Sequence, residues 1–162
     1  MKVSALVVAG LVLFPFSNVL AQEVNDAQIA SIVVTANQVD IDAGELAKSR
    51  STNHEVKAFA ELMITDHTSV NKSATDLVAR LKVSPQDNPT SQSLKAGGEK
   101  NFAHLKTLKG AAFDKAYVDR EVAYHQQVID ALDKTLIPGA ANGELKALLI
   151  NCLLYTSPSP RD

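Results

Sequence analysis

The chain has 162 residues, 16 cations against 18 anions (formal net charge −2), one cysteine, no tryptophan and 5% aromatic residues. Mild acidity speaks against nucleic-acid binding, which needs a basic patch. The single cysteine, Cys152, rules out an intramolecular disulfide. Scarce aromatics leave Ala, Leu, Val and Ile to fill the core, a poor recipe for a β-sandwich.

The first 21 residues read as a secretory signal. Lys2 precedes an apolar run from Val3 to Phe16, and Val19-Leu20-Ala21 presents small residues three and one before a cut. The run is too short to span a bilayer, which takes roughly 20 apolar residues. Cleavage leaves 141 residues starting at Gln22, with no transmembrane segment. The expected destination is the periplasm, with secretion or outer-membrane association as alternatives.

Helical periodicity governs the rest. Ile29, Val33, Ala36, Asp40, Ala43 and Ala47 alternate in steps of four and three, the seam of an amphipathic helix capped by Asn25 with Gln28. That helix is expected to fade at Ser49–Ser51. Thr52 and Glu55 form a second capping pattern, and the next seam runs Val56, Ala60, Met63, His67, Val70, Ala74, Leu77 and Leu81. The short break between these two long helices predicts an antiparallel hairpin. Val83–Thr90 is a loop by composition. A shorter helix follows along Leu94, Gly98, Asn101 or Phe102, Leu105 and Leu108; Gly97-Gly98 either weakens it or marks a close approach by a neighbouring backbone. The fourth helix, about Ala112–Thr135, has an expected face of Val118, Val122, His125, Val128 or Ile129, Leu132 and Leu136, flanked by Phe113, Tyr117 and Tyr124 with wet hydroxyls. Pro138-Gly139 ends it, and Asn142 caps a fifth helix carrying Leu145, Leu148 and Leu149. Ser-Pro-Ser-Pro cannot continue a helix, so residues 152–162 read as a disordered or non-native tail that cuts the fifth helix short. The fold class is all-α: an antiparallel four-helix bundle over residues 22–151 with a short extra C-terminal helix.

Polar residues on an apolar seam carry the information. Asp40, His67 with Asp66 beside it, and His125 with Glu121 one turn earlier fall at seam positions on three helices. Two readings stay open. The first is a buried polar network that fixes helix register. The second is a mononuclear or degenerate site for iron, manganese or zinc. The Glu-x-x-His spacing of di-iron bundles is absent: Ile64 and Val122 stand where the glutamates would be. His54 and His104 lie off the stripes and read as surface groups. No covalent-haem motif, phosphate loop or nucleophile elbow is present, so no catalytic or cofactor-binding residue is assigned. An envelope interaction module is a third possibility, which no exposed basic or aromatic stripe supports.

The runs VKAFAELMITDHTSVN (Val56–Asn71) and FDKAYVDREVAYHQQVIDAL (Phe113–Leu132), with TANQVDIDAGELA (Thr35–Ala47), resemble the ferritin-like domain of unknown function forty-one forty-two. The resemblance covers about Val24–Leu149. It implies a ferritin-like bundle behind a signal peptide, in a family whose bacterial members are labelled outer-membrane or periplasmic proteins. In that family the acid of the first helix is usually Glu, here Asp40. The Asp-His pair corresponds to Asp66 and His67, and the later histidine to His125. The family's final helix typically brings a further histidine, in whose place this chain has Cys152–Asp162.

Overall fold

The computed structural model describes residues 24–156, with side chains to Leu153. The expected signal, Met1–Ala21, and the chain from Ser157 onward lie outside them. Among the described residues there is no strand. Helices α1 (Asp26–Arg50), α2 (His54–Leu81), α3 (Pro89–Thr107) and α4 (Gly110–Ala131) lead into a π-helical turn at Leu132–Leu136. A short turn, α5 (Ile137–Gly139), and α6 (Gly143–Thr156) complete the order. The chain is therefore an all-helical bundle with a short C-terminal helix.

Helix α1 starts where its capping box predicts: Asn25 Oδ1 accepts from the Gln28 N–H, and Gln28 Oε1 accepts from the Asn25 N–H. It is buried over most of its surface, from Ile29, Ala30 and Ile32 through Asn37, Asp40 and Ile41 to Gly44 and Ala47, and keeps one exposed stripe, Gln38, Asp42, Glu45 and Ser49, along its second half. The apolar arc is wide enough to meet more than one neighbouring helix. The cap of α2 is Asn53, which accepts from the N–H groups of Glu55 and Val56, so the expected cap at Thr52 is corrected by one residue. Asparagine is the stronger cap of the two. The three-residue link Ser51–Asn53 forces α2 back along α1. Asn71 meets Val34, His67 meets Asn37, and Glu61 pairs with Lys48, an antiparallel register.

Helix α3 begins two residues earlier than the expected loop allows. Asn88 caps it and Pro89 occupies its first turn, where the missing N–H is harmless. Asn88 Nδ2 also donates to Gln28 O, tying this corner to the start of α1. Ser31–Asp87 and Arg50–Leu108 contacts show α3 running parallel to α1. It passes unbroken through Gly97-Gly98. A Cβ on Gly98 would lie 2.6 Å from Val39 Cγ2, so the close neighbour is a side chain of α1 and not a backbone.

The expected face of α4 is corrected. Phe113, Tyr117, Glu121 and Tyr124 are its buried residues, whereas Val122 is 68% exposed. The helix is turned by one residue, about 100°, because three aromatic rings bury far more apolar surface than the competing valines. The tyrosine hydroxyls are not wet: Tyr124 donates to Ala36 O inside the bundle, and Tyr117 is fully buried.

At the end of α4 the Ile137 N–H donates to Leu132 O, five residues back, a π-type bond. The Asp26 carboxylate accepts from the N–H groups of Ala141 and Asn142 and fixes the entry to α6. That helix runs through Cys152 to Thr156, into the segment expected to be tail. Leu145, Leu149 and Cys152 form one buried stripe, and the proline that ends helical propensity comes only at 158.

Two apolar cores result. One joins the start of α1 to the end of α2, the π turn and α6 through Ile29, Ile32, Leu77, Leu136 and Leu149. The other joins the end of α1 to the start of α2 and α4 and the end of α3 through Leu46, Val56, Leu105, Phe113 and Tyr117. Between them lies a polar layer.

The two glycines of α3 should behave oppositely. Nothing lies within 4 Å of a Cβ at Gly97, so Gly97→Ala should stabilise by about 0.5–1 kcal/mol through helix propensity. Gly98→Ala should lose that gain or destabilise, because Val39 is stiff at χ1, and Val39→Ala in the same chain should restore it. Urea midpoints of the four chains check this.

Candidate metal centre

The polar layer draws on three helices. Asn37 and Asp40, three residues apart, share a face of α1; α2 contributes His67; α4 contributes Glu121, Tyr124 and His125. Orientation begins at Asn37. Its Nδ2 donates to Val33 O at 2.8 Å, which turns Oδ1 toward His67 Nδ1 at 2.7 Å. A carboxamide oxygen only accepts. His67 therefore carries its proton on Nδ1, and its Nε2 presents a lone pair 3.5 Å from Asp40 Oδ2. His125 is fixed by the same logic: its Nδ1 lies 2.9 Å from the Glu121 carbonyl oxygen, an acceptor, which leaves Nε2 basic.

The two imidazoles lie 5.4 Å apart, edge to face. One ligand atom each from Asp40, His67 and His125 falls within 4.8 Å of the others. Metal–nitrogen and metal–oxygen bonds run near 2 Å, so side-chain rotation suffices to bring the three onto one ion. Glu121 stands behind His125, with Oε2 at 3.8 Å from Nδ1. Asp66 is not brought into the group. It is exposed on α2, one residue and about 100° from His67. His54 and His104 are exposed, as expected.

Burial dominates the electrostatics. Asp40 and Glu121 are 3% and 2% exposed, and their carboxyls are in hydrogen-bond contact. Burial holds the Asp40 carboxyl well above the usual range, and the charge of Glu121 adds to this while Arg120 opposes it. Burial pushes Glu121 up to about 7, against the hydrogen bond from Asp40 and the charge of Arg120. His67 is pushed down to about 4, first by burial and then by His125. Two facing carboxyls can meet only by sharing a proton. Apart from that proton, Asp40 Oδ1 and Glu121 Oε2 have no hydrogen-bond partner among the described residues, and neither has the Tyr117 hydroxyl.

Asn37 and Arg120 are the residues that sequence reasoning missed. Asn37 sits three residues before Asp40 on the same face, a spacing that could have exposed it. Arg120 stacks 4.3 Å over the Tyr124 ring, and its charge opposes the burial of both carboxyls. Its signal in the sequence is only its place beside Glu121.

Fold and layer together define an all-α bundle with a His-Asp cluster midway along its axis. Residues 15–153 match the family described as Domain of unknown function (DUF4142), and the chain belongs to that family. No curated protein and no solved structure matches it.

The carboxyl pair makes stability depend on pH. The folded chain keeps a proton on Glu121 up to about pH 7, whereas a free glutamate releases it near 4.5. Folded protein thus binds more protons across that window, and this contribution falls as pH rises. His67 acts oppositely, adding stability as pH rises from about 4 to 6.5. Glu121→Gln should therefore exceed wild type in stability at pH 8 by on the order of 1–3 kcal/mol, with a smaller gap at pH 5. Urea midpoints at both pH values, in chelator, check this; an equal gap at both would refute the assignment.

Proposed function

We propose that this protein is exported and binds one divalent first-row metal ion through Asp40, His67 and His125, with Asn37 and Glu121 as the groups that orient the ligands. The observation that carries the reading is the pair of fixed tautomers. Both histidines donate from Nδ1 to an oxygen, Asn37 Oδ1 in one case and the Glu121 carbonyl in the other, which leaves each Nε2 unprotonated, and a ring nitrogen of each lies within 4.8 Å of an Asp40 oxygen. Metal-binding histidines are commonly held this way, the second nitrogen bonded to a carbonyl or carboxylate. A register-fixing network alone explains the layer less well, because it leaves Asp40 Oδ1, on the residue that both histidines approach, without a donor beyond one shared proton.

Two imidazoles and one carboxylate suit zinc, iron or manganese. An ion there draws the shared proton off the pair, since the ligating carboxylate must be ionised. Export rests on the composition of Met1–Ala21, and α1 starts at Asp26, just past the expected cut.

The mature chain from Gln22, loaded separately with each metal and desalted, should retain about one ion per chain of at least one of them. His67→Ala/His125→Ala should retain none, and Asn37→Leu should bind roughly 10–100-fold more weakly. Equal metal content in wild type and the double variant would leave the layer as a structural network. For export, mass spectrometry of the full chain expressed in a bacterium should find a periplasmic product beginning at Gln22. An intact N-terminus in the cytoplasmic fraction alone would refute it.

A further inference from the structure

Asp40, His67 and His125 also line one wall of a cavity of about 630 Å³, and Glu121 does not. Much of the remaining wall is apolar, from Ile32 and Val33 of α1, Val70 of α2, Leu132 and Leu136 of the π turn, and Leu148 of α6. Exposed polar side chains, Ser69, Ser73, Gln127, Thr135 and Asn151 among them, also line it and open it to solvent. The volume lies within the roughly 300–1,000 Å³ of small-molecule sites. The buried polar groups of the lining, Asn37, Asp40 and His67, lie together beside His125, and the buried apolar ones face the same space.

We propose that this cavity binds a small amphiphile, an apolar body of several carbons with one anionic oxygen head group that completes the coordination of an ion held by Asp40, His67 and His125. The inference rests on the metal reading above. Three protein ligands fill three positions of a four-coordinate ion, and a fourth position open to a cavity is the pattern of sites that take an exogenous ligand. Glu121 does not close that position, because it stands behind His125. One carboxylate leaves a divalent ion with net positive charge, and this selects an anionic oxygen donor over a neutral one. The apolar walls select the body.

Cobalt(II) is the spectroscopic probe, loaded into the mature chain, with acetate, butyrate and octanoate as ligands. Octanoate should shift the visible cobalt bands and bind at least about 100-fold more tightly than acetate, given roughly fourfold per buried methylene. Leu148→Phe, which fills the cavity from α6, a helix that supplies none of the three ligands, should keep the cobalt spectrum and the weak acetate response while removing most of the octanoate advantage. Cobalt bands that no carboxylate moves, or that acetate and octanoate move at equal concentration, overturn the proposal and leave the metal reading standing. Octanoate that binds the metal-free chain equally well overturns the head-group assignment. A chain that takes up no cobalt, zinc, iron or manganese removes both.

Discussion

Asp40 places a carboxyl group on the buried face of α1, only 3% exposed, and much of the structure packed against that face answers to it. A lone ionised carboxylate in that position costs several kcal/mol even after relaxation. The two helices whose side chains face it therefore bring something polar: His67 from α2, Glu121 and Tyr124 from α4, with Arg120 at the edge. Apolar packing above and below is ordinary, but its register is not free. Sliding α2 by one turn would carry His67 past both Asn37 and Asp40 and leave all three unmatched. The three-residue link between α1 and α2 and the caps at Asn53 and Asn88 hold that register from outside.

The layer also differs in kind from a di-iron centre. The carboxylates such a centre needs would stand three residues before each histidine, at positions 64 and 122. Ile64 packs against Gly44, where the two helices nearly touch, and Val122 faces solvent. Neither position points at the histidines, so a carboxylate there would not reach them without turning a helix. The acid that does lie near His125 comes from position 121, one residue round the helix, and stands behind the ring. The result is a compact group of Asp40, His67 and His125 that faces the cavity.

Much of this was legible in the residues. The four-and-three spacing along α1 and α2 located both helices, their pairing and the polar interruptions, because apolar period and burial coincide there. On α4 two stripes satisfy the same period, Val118–Val122–His125 and Phe113–Tyr117–Tyr124, and only side-chain volume separates them. Asp66 drew attention by standing next to His67 in the chain, yet on a helix adjacent residues point about 100° apart. Asn37 escaped notice because the seam steps from Ala36 to Asp40 and passes over it. Its importance lies in a hydrogen bond to Val33, which a spacing pattern does not encode. Cys152 looked like the start of a tail because prolines follow, but the stripe from Leu145 continues through it.

The π turn at Leu132–Leu136 is an α-helix with one residue too many. Removing one of its exposed residues, Asp133, Lys134 or Thr135, would let α4 continue as plain α-helix. The segment beyond would keep nearly the same direction and register, because roughly four α-helical residues turn the chain as far as five π-helical ones. Asp26 would still receive Ala141 and Asn142, and Leu148 and Cys152 of α6 would stay on the cavity they line. What would change is the turn itself, where Leu132, Thr135 and Leu136 face that cavity. The extra residue is thus a local change of wall that the rest of the bundle does not feel, and a relative one residue shorter here keeps the same helices around a differently lined chamber.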